Sequence, residues 1–562
     1  MGSARMGARN TSTERKDFTC EDYLGFVKKY PTIHKLLDER TAECGAKPLL
    51  FFKDQCLTYA SVRDLSKRLA MGLSELGLAR NDHVGVMLRN SPEYVLSYFA
   101  LSRLGAVLTA INPDLKGEAL KYILANADCK CLLIDSRFLE NIKDIDLKAL
   151  GVKSVVIHDV EMPAKEYIVK CPEILYLKDL LKRPMLEHEA QVTTKDPVVL
   201  LYTSGTTGIP KGVLLPHGTY LNSSFWTVTL FGYREDDVQY EPLPLFHIRA
   251  GIDLIAALIA KHSIALAERF SASRCWDDVR RYGATIFNSI AAIMPILYKQ
   301  PRTPEDANHN VRLFLTGPRN KEILKDFEER FKVKCIEFYG LTETAAIVHT
   351  RYDEIIRGEV PPDSAGKPVP TVELAIVDEN DYVLPPNQLG EIVLRPRVPY
   401  IFFLGYYKMP EETIASWRNL WFHTGDLGYI DERGYLHFVS RVKETIRRKG
   451  ENIPSALLDR IVLENEKVLE VASVPVPSEL GEDEIKLCVV LKPGEEMTPE
   501  ELFEWCKEKL PRSWVPRYIE FRKSLPKTAT ERVEKWRLRQ EGLTPSTWDA
   551  VTKSYIGHAK KG

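Results

Sequence analysis

What most constrains this chain is an alternation of helix-period and strand-like apolar segments between Tyr59 and Ile134. Tyr59 to Leu78 carries apolar residues at helical spacing, Val84 to Leu88 is an apolar run of strand length, and Pro92 to Leu104 is helical again. Ala106 to Ile111, Glu118 to Ala127 and Lys130 to Ile134 continue as strand, helix and strand. Short polar joins between such segments call for right-handed βαβ crossovers, and hence for a parallel sheet covered by helices. A second series begins at Val198: a strand, a glycine-rich loop, a helix from about Tyr220, then strands near Ile264 to Leu266, Thr285 to Asn288 and Arg312 to Leu315. The expected fold is α/β, with two doubly wound α/β subdomains.

From Gly366 the texture changes to short β-rich pieces such as Val372 to Val377 and Gly390 to Leu394, which predict a small β-barrel over about 366–440. Beyond Arg441-Val442-Lys443, a helix at Ser455 to Asn465, a strand at Val471 to Pro477 and a helix at Pro499 to Leu510 predict a compact α+β C-terminal domain. A chain of 562 residues is long enough for several such units at roughly 150 residues each. The division read here is a flexible extension over 1–16, a large N-terminal domain over 17–441 and a C-terminal domain over 442–562.

Charge and cysteine usage exclude several classes of partner. Lys and Arg total 77 against 78 Asp and Glu, a net charge of −1, so the totals offer no case for a nucleic-acid footprint and leave only a local basic patch open. The ten cysteines show no zinc-ligand spacing, and their low density suits a reducing compartment. The polar N-terminus lacks a signal-peptide core, and the longest apolar stretch, Leu254 to Ala260, is far short of a membrane span. These features read as a cytoplasmic protein without an integral membrane segment, and they leave room for a homo-oligomer.

The chemistry begins at Leu201-Tyr202-Thr203-Ser204-Gly205-Thr206-Thr207-Gly208-Ile209-Pro210-Lys211-Gly212. Gly205 and Gly208 let backbone N–H groups approach an anion, while Thr203, Ser204, Thr206, Thr207 and Lys211 add hydroxyl donors and a positive charge. A plain surface turn explains the glycines but not four hydroxyls and a lysine in so short a space. A Walker loop is excluded by spacing, because only Thr-Thr separates Gly205 from Gly208 and Lys211 follows Pro210.

A second segment, Glu337-Phe338-Tyr339-Gly340-Leu341-Thr342-Glu343-Thr344, offers an aromatic ring for a base, a glycine for close backbone approach, a hydroxyl for phosphate and a carboxylate for Mg²⁺. Taken alone it reads equally well as a strand end and a helix cap. In Trp421-Phe422-His423-Thr424-Gly425-Asp426-Leu427 a carboxylate follows glycine, suited to ribose hydroxyls and equally to a simple Gly-Asp turn. Arg249 stands out inside the apolar stretch Phe246 to Ala260, where a cation is costly unless it meets an anion or water: it reads as facing a substrate carboxylate or a CoA phosphate, and equally as a surface residue or salt-bridge partner.

Taken in order, these motifs resemble the adenylate-forming superfamily of acyl-CoA synthetases, coumarate-type CoA ligases, luciferase and adenylation domains, from about Tyr30 to Lys535. The resemblance implies an ATP-dependent carboxylate–CoA ligase, with ATP, Mg²⁺ and coenzyme A acting on a small carboxylic acid. It implies that Thr203 to Gly208 and Lys211 cradle phosphate, Tyr339 meets adenine within Glu337 to Thr342, Glu343 holds the metal, and Asp426 and Arg441 hold the ribose. His247 falls at the boundary between the acyl pocket and the CoA tunnel. Asn288, Thr316, Gly317 and Pro318 fall near the acid and adenine, where Pro318-Arg319 departs from the family's small-residue string. Lys443 matches the pivot of a mobile lid domain, and the Lys449-Gly450 hairpin would turn to CoA. The family's terminal adenylation lysine is here Arg532, after Glu531; Lys527 and Lys535 are the other cations in reach. The Glu-Arg variant, with Gly450-Glu451-Asn452-Ile453 and Phe270-Ser271-Ala272-Ser273-Arg274, looks most like the crotonobetaine/carnitine-CoA ligase branch. An adenylating enzyme with another acceptor, or a nucleotide-binding homologue impaired by Arg532, remain the alternatives.

Overall fold

The computed structural model describes residues 18–158, 173–203, 210–290, 293–317, 322–441, 445–448, 451–477, 483–527 and 533–558. Two large sheets organise the N-terminal part. One contains eight strands among the described residues, with His83–Met87, Val107–Ala110, Cys129–Asp135, Ser154–His158, Glu173–Tyr176 and Pro197–Thr203 running parallel. The other contains nine, built on the parallel strands Pro48–Phe52, Ser263–Leu266, Val238–Glu241, Ile286–Asn288, Leu313–Thr316 and Lys334–Leu341.

The first expected series is present nearly residue for residue. Helix Pro92–Leu104 starts where the Ser91 side chain accepts from the Tyr94 N–H and Pro92 occupies the first turn. It stops at Gly105, which takes the left-handed conformation with φ 65°. Strand residues go alternately to the sheet's two faces: Leu133 joins the core shared by both sheets, whereas Leu132 and Ile134 join the cluster under helix Gly117–Asn126. A strand covered on both faces is continuously apolar for that reason.

Two details differ from the sequence reading. Pro197–Thr203 closes the first sheet rather than opening the second, and it is followed by an antiparallel partner, Lys211–Pro216, before helix His217–Phe231 begins. The second sheet takes Pro48–Phe52 from the N-terminal region and Val238–Glu241 from a segment with little apolar signal.

Val372–Val377, Gly390–Pro396, Trp417–Arg418, Trp421–Ile430 and Leu436–Arg441 form an antiparallel sheet with an open strand path, a half-barrel where a small barrel was expected. The smaller C-terminal domain has its own core, gathered from Ile446, Leu458, Val471, Ile485, Leu487, Leu502, Ile519 and Trp548. Among the described residues no helix is long and apolar enough to cross a membrane, and every described cysteine is a free thiol.

Candidate active site

A cavity of about 530 Å³ opens where the loops after several parallel strands meet the half-barrel. Outside the carboxyl ends of such strands is where doubly wound folds bind ligands. Thr203 and Lys211 both line it, and they face each other as the last and first residues of paired strands. The intervening Ser204, Gly205, Thr206, Thr207 and Gly208 lie outside the described residues. Lys211 is ion-paired with Glu412, from helix Pro410–Ala415, and its Nζ sits 4.9 Å from the centre of the Tyr406 ring.

The opposite wall is the turn between Lys334–Leu341 and Ala345–His349, which presents Thr342 and Glu343 to the cavity. Gly340 is required for that turn, because a Cβ there would come 1.8 Å from the Ala345 carbonyl oxygen. The Tyr406 hydroxyl donates to Glu343 Oε1 at 2.8 Å, and the Phe403 N–H donates to the Glu343 carbonyl at 2.7 Å. Burial, reinforced by Glu343, raises the Tyr406 phenol above its ordinary pKa, so it remains a donor. A carboxylate has acceptor capacity beyond that one bond, and Mg²⁺ is commonly held by one or two carboxylates together with substrate phosphates. Glu343 in this cavity suits that arrangement.

A third group lies along the half-barrel edge. Asp426 and Arg441 are direct cross-strand partners, with Arg441 Nε 3.2 Å from Asp426 Oδ1, and the Tyr339 hydroxyl donates to Asp426 Oδ2 at 2.9 Å. Arg441, Thr424 and Gly425 reach the cavity. Asp426 is buried, and Tyr339 is buried beside Phe438 behind the wall, whereas its neighbours Phe338 and Gly340 line the cavity, as strand alternation dictates. Burial, then the Asp426 charge, push the Tyr339 hydroxyl well above its usual pKa.

The apolar part of the lining is formed by Ile248, Ile252, Phe338, Leu341, Ala345 and Ala346, and Arg249 also lines the cavity. Asn288 lies behind this wall, fully buried, donating to Glu241 and Asp253 at 2.6 Å each. Thr316 is buried at the end of its strand, opposite Glu337, and a Cβ on Gly317 would come 2.5 Å from the Phe338 carbonyl. The Glu337 backbone is tied to Thr350, whose Oγ1 accepts from its N–H at 2.8 Å. His247 precedes helix Ile248–Ala260, is exposed, and packs on Phe246 outside the cavity lining.

Pro318, Lys443, Lys449, Gly450 and Arg532 lie outside the described residues. Lys527 pairs with Glu470 at 2.7 Å, while Lys535 pairs with Asp459 at 2.5 Å and donates to Ser455, so both are engaged within the C-terminal domain. Sequence reasoning missed Tyr406, Glu412, Glu391 and Ser416, all lining the cavity. Tyr406 arrives, with Glu412 and Ser416 close behind it in the chain, because Gly405–Tyr406 pairs with Lys211–Pro216, and Glu391 arrives on strand Gly390–Pro396 through its pairing with Trp421–Ile430; such long-range contacts leave no local pattern.

Family comparison agrees with this geometry. The model of AMP-binding enzymes matches residues 37–407, and that of the AMP-binding enzyme C-terminal domain matches 458–532. The chain belongs to the AMP-binding enzyme family.

Within it, the chain is 30% identical over 519 residues to a crotonobetaine/carnitine–CoA ligase of Salmonella typhi, covering 90% of this chain and 98% of that protein. Among solved structures it is similar to an anthranilate CoA ligase in complex with anthranoyl-AMP, with TM-score 0.80 and 26% identity over 91% of this chain and 97% of that one. An O-succinylbenzoate CoA synthetase from Bacillus subtilis in complex with AMP matches with TM-score 0.75 and 26% identity over 91% and 98% of the two chains.

Proposed function

We propose that this enzyme is an ATP-dependent carboxylate–CoA ligase that forms an acyl-adenylate and then an acyl-CoA thioester. The observation that carries this reading is one cavity lined both by the polar groups of Lys211, Thr203, Thr342 and Glu343 and by the apolar side chains of Ile248, Ile252, Phe338 and Ala346. Phosphates and an acid's carbon skeleton need opposite surroundings, and both are provided within reach of one reacting centre.

In the first half-reaction an oxygen of the carboxylate attacks the α-phosphorus of ATP. The new O–P bond forms as the bond to the pyrophosphate oxygen breaks, and charge grows on the departing oxygens. Lys211 leaves Glu412 to meet that charge, joined by the Thr203 and Thr342 hydroxyls. Glu343 would hold Mg²⁺, whose charge offsets that of the triphosphate. The ribose lies along Asp426 and Arg441, with Tyr339 backing the adenine wall. In the second half-reaction the CoA thiol attacks the acyl carbonyl and AMP departs.

The domain reading completes the cycle: residues 442–562 rotate about Lys443 as a lid over residues 17–441. One face brings Arg532 to the carboxylate and α-phosphate, where a guanidinium supplies the charge that the family's lysine supplies elsewhere. The other face turns the Lys449-Gly450 hairpin toward CoA. We place the enzyme in a reducing cytoplasm, consistent with the free, mostly buried thiols among the described residues. Acid-dependent exchange of labelled pyrophosphate into ATP, followed by AMP release on adding CoA, tests the assignment. Nucleotide binding with no exchange for any acid would reduce the protein to a non-catalytic homologue.

A further inference from the structure

Behind the apolar part of the cavity lining lies a polar cluster that adenylation itself does not use. Glu241 ends strand Val238–Glu241, Asn288 ends strand Ile286–Asn288, and Arg249 and Asp253 stand one turn apart on helix Ile248–Ala260. Asn288 Nδ2 donates to Glu241 Oε2 and to Asp253 Oδ2, each at 2.6 Å, and the Leu243 N–H donates to Glu241 Oε1 at 3.0 Å. Arg249 Nη2 donates to Asp253 Oδ1 at 2.7 Å. All four side chains are buried, Asp253 and Asn288 completely and Arg249 to 6% exposure.

The outward member of this cluster is the informative one. Arg249 lines the cavity with its guanidinium 4.2 Å from the centre of the Phe338 ring, while its buried Nε and Nη1 have no hydrogen-bond partner among the described residues. Unpaired N–H groups on a buried cation are costly, and an acceptor brought in through the cavity would relieve that cost. Burial pushes the Glu241 carboxyl well above the usual carboxylate range; burial also raises Asp253, with Arg249 pulling it back.

The partners also fix orientation. The bond to Asp253 and the stack on Phe338 hold the guanidinium plane, and Asn288 locks Asp253 against the strand ends. A guanidinium held in this way is suited to carboxylate recognition, because its N–H fork matches two carboxylate oxygens. The same stack works against a quaternary ammonium group. Such a cation binds on aromatic faces, and Arg249 already covers the face of Phe338 in the cavity lining.

We infer, building on the ligase reading above, that the acid this enzyme activates is a short dicarboxylic acid, one carboxylate going to the α-phosphorus and the other being held by Arg249. Arg249 then acts as the residue that selects the substrate, and Asp253, Asn288 and Glu241 position it. The acid shares the cavity of about 530 Å³ with the nucleotide.

The test is pyrophosphate exchange by the full-length enzyme with acids matched in length: glutarate, pentanoate, and an acid ending in a trimethylammonium group. The expected result is a kcat/KM for glutarate at least about tenfold above that for pentanoate, as a charge-assisted hydrogen-bonded pair provides. Arg249→Met is expected to bring that ratio close to one, and Arg249→Lys, which keeps the charge but loses the fork, to leave an intermediate ratio carried by KM. Preference for the trimethylammonium acid, or a ratio unchanged in both variants, overturns the inference while leaving the ligase reading intact. Equal losses on glutarate and pentanoate also overturn it, since Arg249 would then serve the reacting carboxylate. Failure of every acid to support exchange overturns the ligase reading itself. If Arg249→Met does not fold, the Arg249→Lys ratio decides alone.

Discussion

Lys211 is held in an ion pair with Glu412, although the two come from segments far apart in the chain. The pair forms because Gly405–Tyr406 adds to the edge of Lys211–Pro216 and brings helix Pro410–Ala415 over the cavity mouth. Lys211, proposed above to meet phosphate, is thus partnered by a carboxylate, and on that proposal the phosphate has to displace Glu412.

That exchange of partners predicts opposite effects at the two residues. Lys211→Ala removes the phosphate contact and is expected to lower kcat/KM for ATP by about 100-fold, as loss of a donor to developing charge does. Glu412→Gln frees the lysine, and because Glu412 is half exposed the expected gain in ATP affinity is modest, roughly twofold to fivefold. Steady-state kinetics with ATP varied reads both. A weaker ATP affinity in Glu412→Gln would count against the displacement.

The Tyr339–Asp426–Arg441 group gives a graded series. Asp426 accepts from a phenol and pairs with a guanidinium, so Asp426→Asn is expected to cost about 1.5–3 kcal/mol in ATP binding, roughly 10- to 150-fold. Tyr339→Phe removes one hydroxyl and is expected to cost less, about 1 kcal/mol. Calorimetric titration with a non-hydrolysable ATP analogue distinguishes them, and equal losses would contradict the ordering.

Gly340 sets the turn that presents Thr342 and Glu343. An alanine there meets the Ala345 carbonyl oxygen at 1.8 Å, so the backbone must shift. Gly340→Ala is expected to destabilise the N-terminal domain by about 1–3 kcal/mol and to weaken the Mg²⁺ dependence of exchange. Thermal unfolding and a Mg²⁺ titration measure the two effects.

Much of the fold was legible because its signals are local. Helix Pro92–Leu104 could be read to the residue from Ser91, Pro92 and Gly105. Strand Val238–Glu241 could not, because Gln239 and Glu241 are polar residues buried in the cluster around Asn288, so the strand lacks the continuous apolar run that marks its buried neighbours. The site divides in the same way. Thr203, Lys211, Thr342, Glu343 and Arg441 sit in compact strings rich in glycine, hydroxyl or charge, and all reach the cavity. Tyr406 and Glu412 reach it only through strand pairing, and Asn288 turned out to support Arg249 from behind the cavity wall.

Arg103 tests the scaffold independently of the site. It is fully buried, bound to Asp38 at 2.7 Å and to Glu189. Removing one partner from a buried ionic group leaves the others uncompensated, so Arg103→Ala is expected to lower stability by about 3–5 kcal/mol. Denaturant titration followed by tryptophan fluorescence should show an earlier first transition, and an unchanged midpoint would refute the prediction.

The C-terminal cation separates the two half-reactions. Arg532→Ala is expected to suppress pyrophosphate exchange at least about 100-fold. It should leave thioester formation from supplied acyl-adenylate and CoA within about threefold of the parent enzyme, since a group that acts only at the first transition state does not slow the second step. Equal loss in both assays would assign Arg532 to folding or to domain rotation rather than to adenylation.

The most direct measurement of the central claim is acid-dependent exchange of labelled pyrophosphate into ATP in the absence of CoA, across a panel that includes short dicarboxylic acids. The ligase reading predicts Mg²⁺-dependent exchange with at least one acid and none without acid, and loss of that exchange in Lys211→Ala. ATP binding accompanied by no exchange for any acid would contradict it.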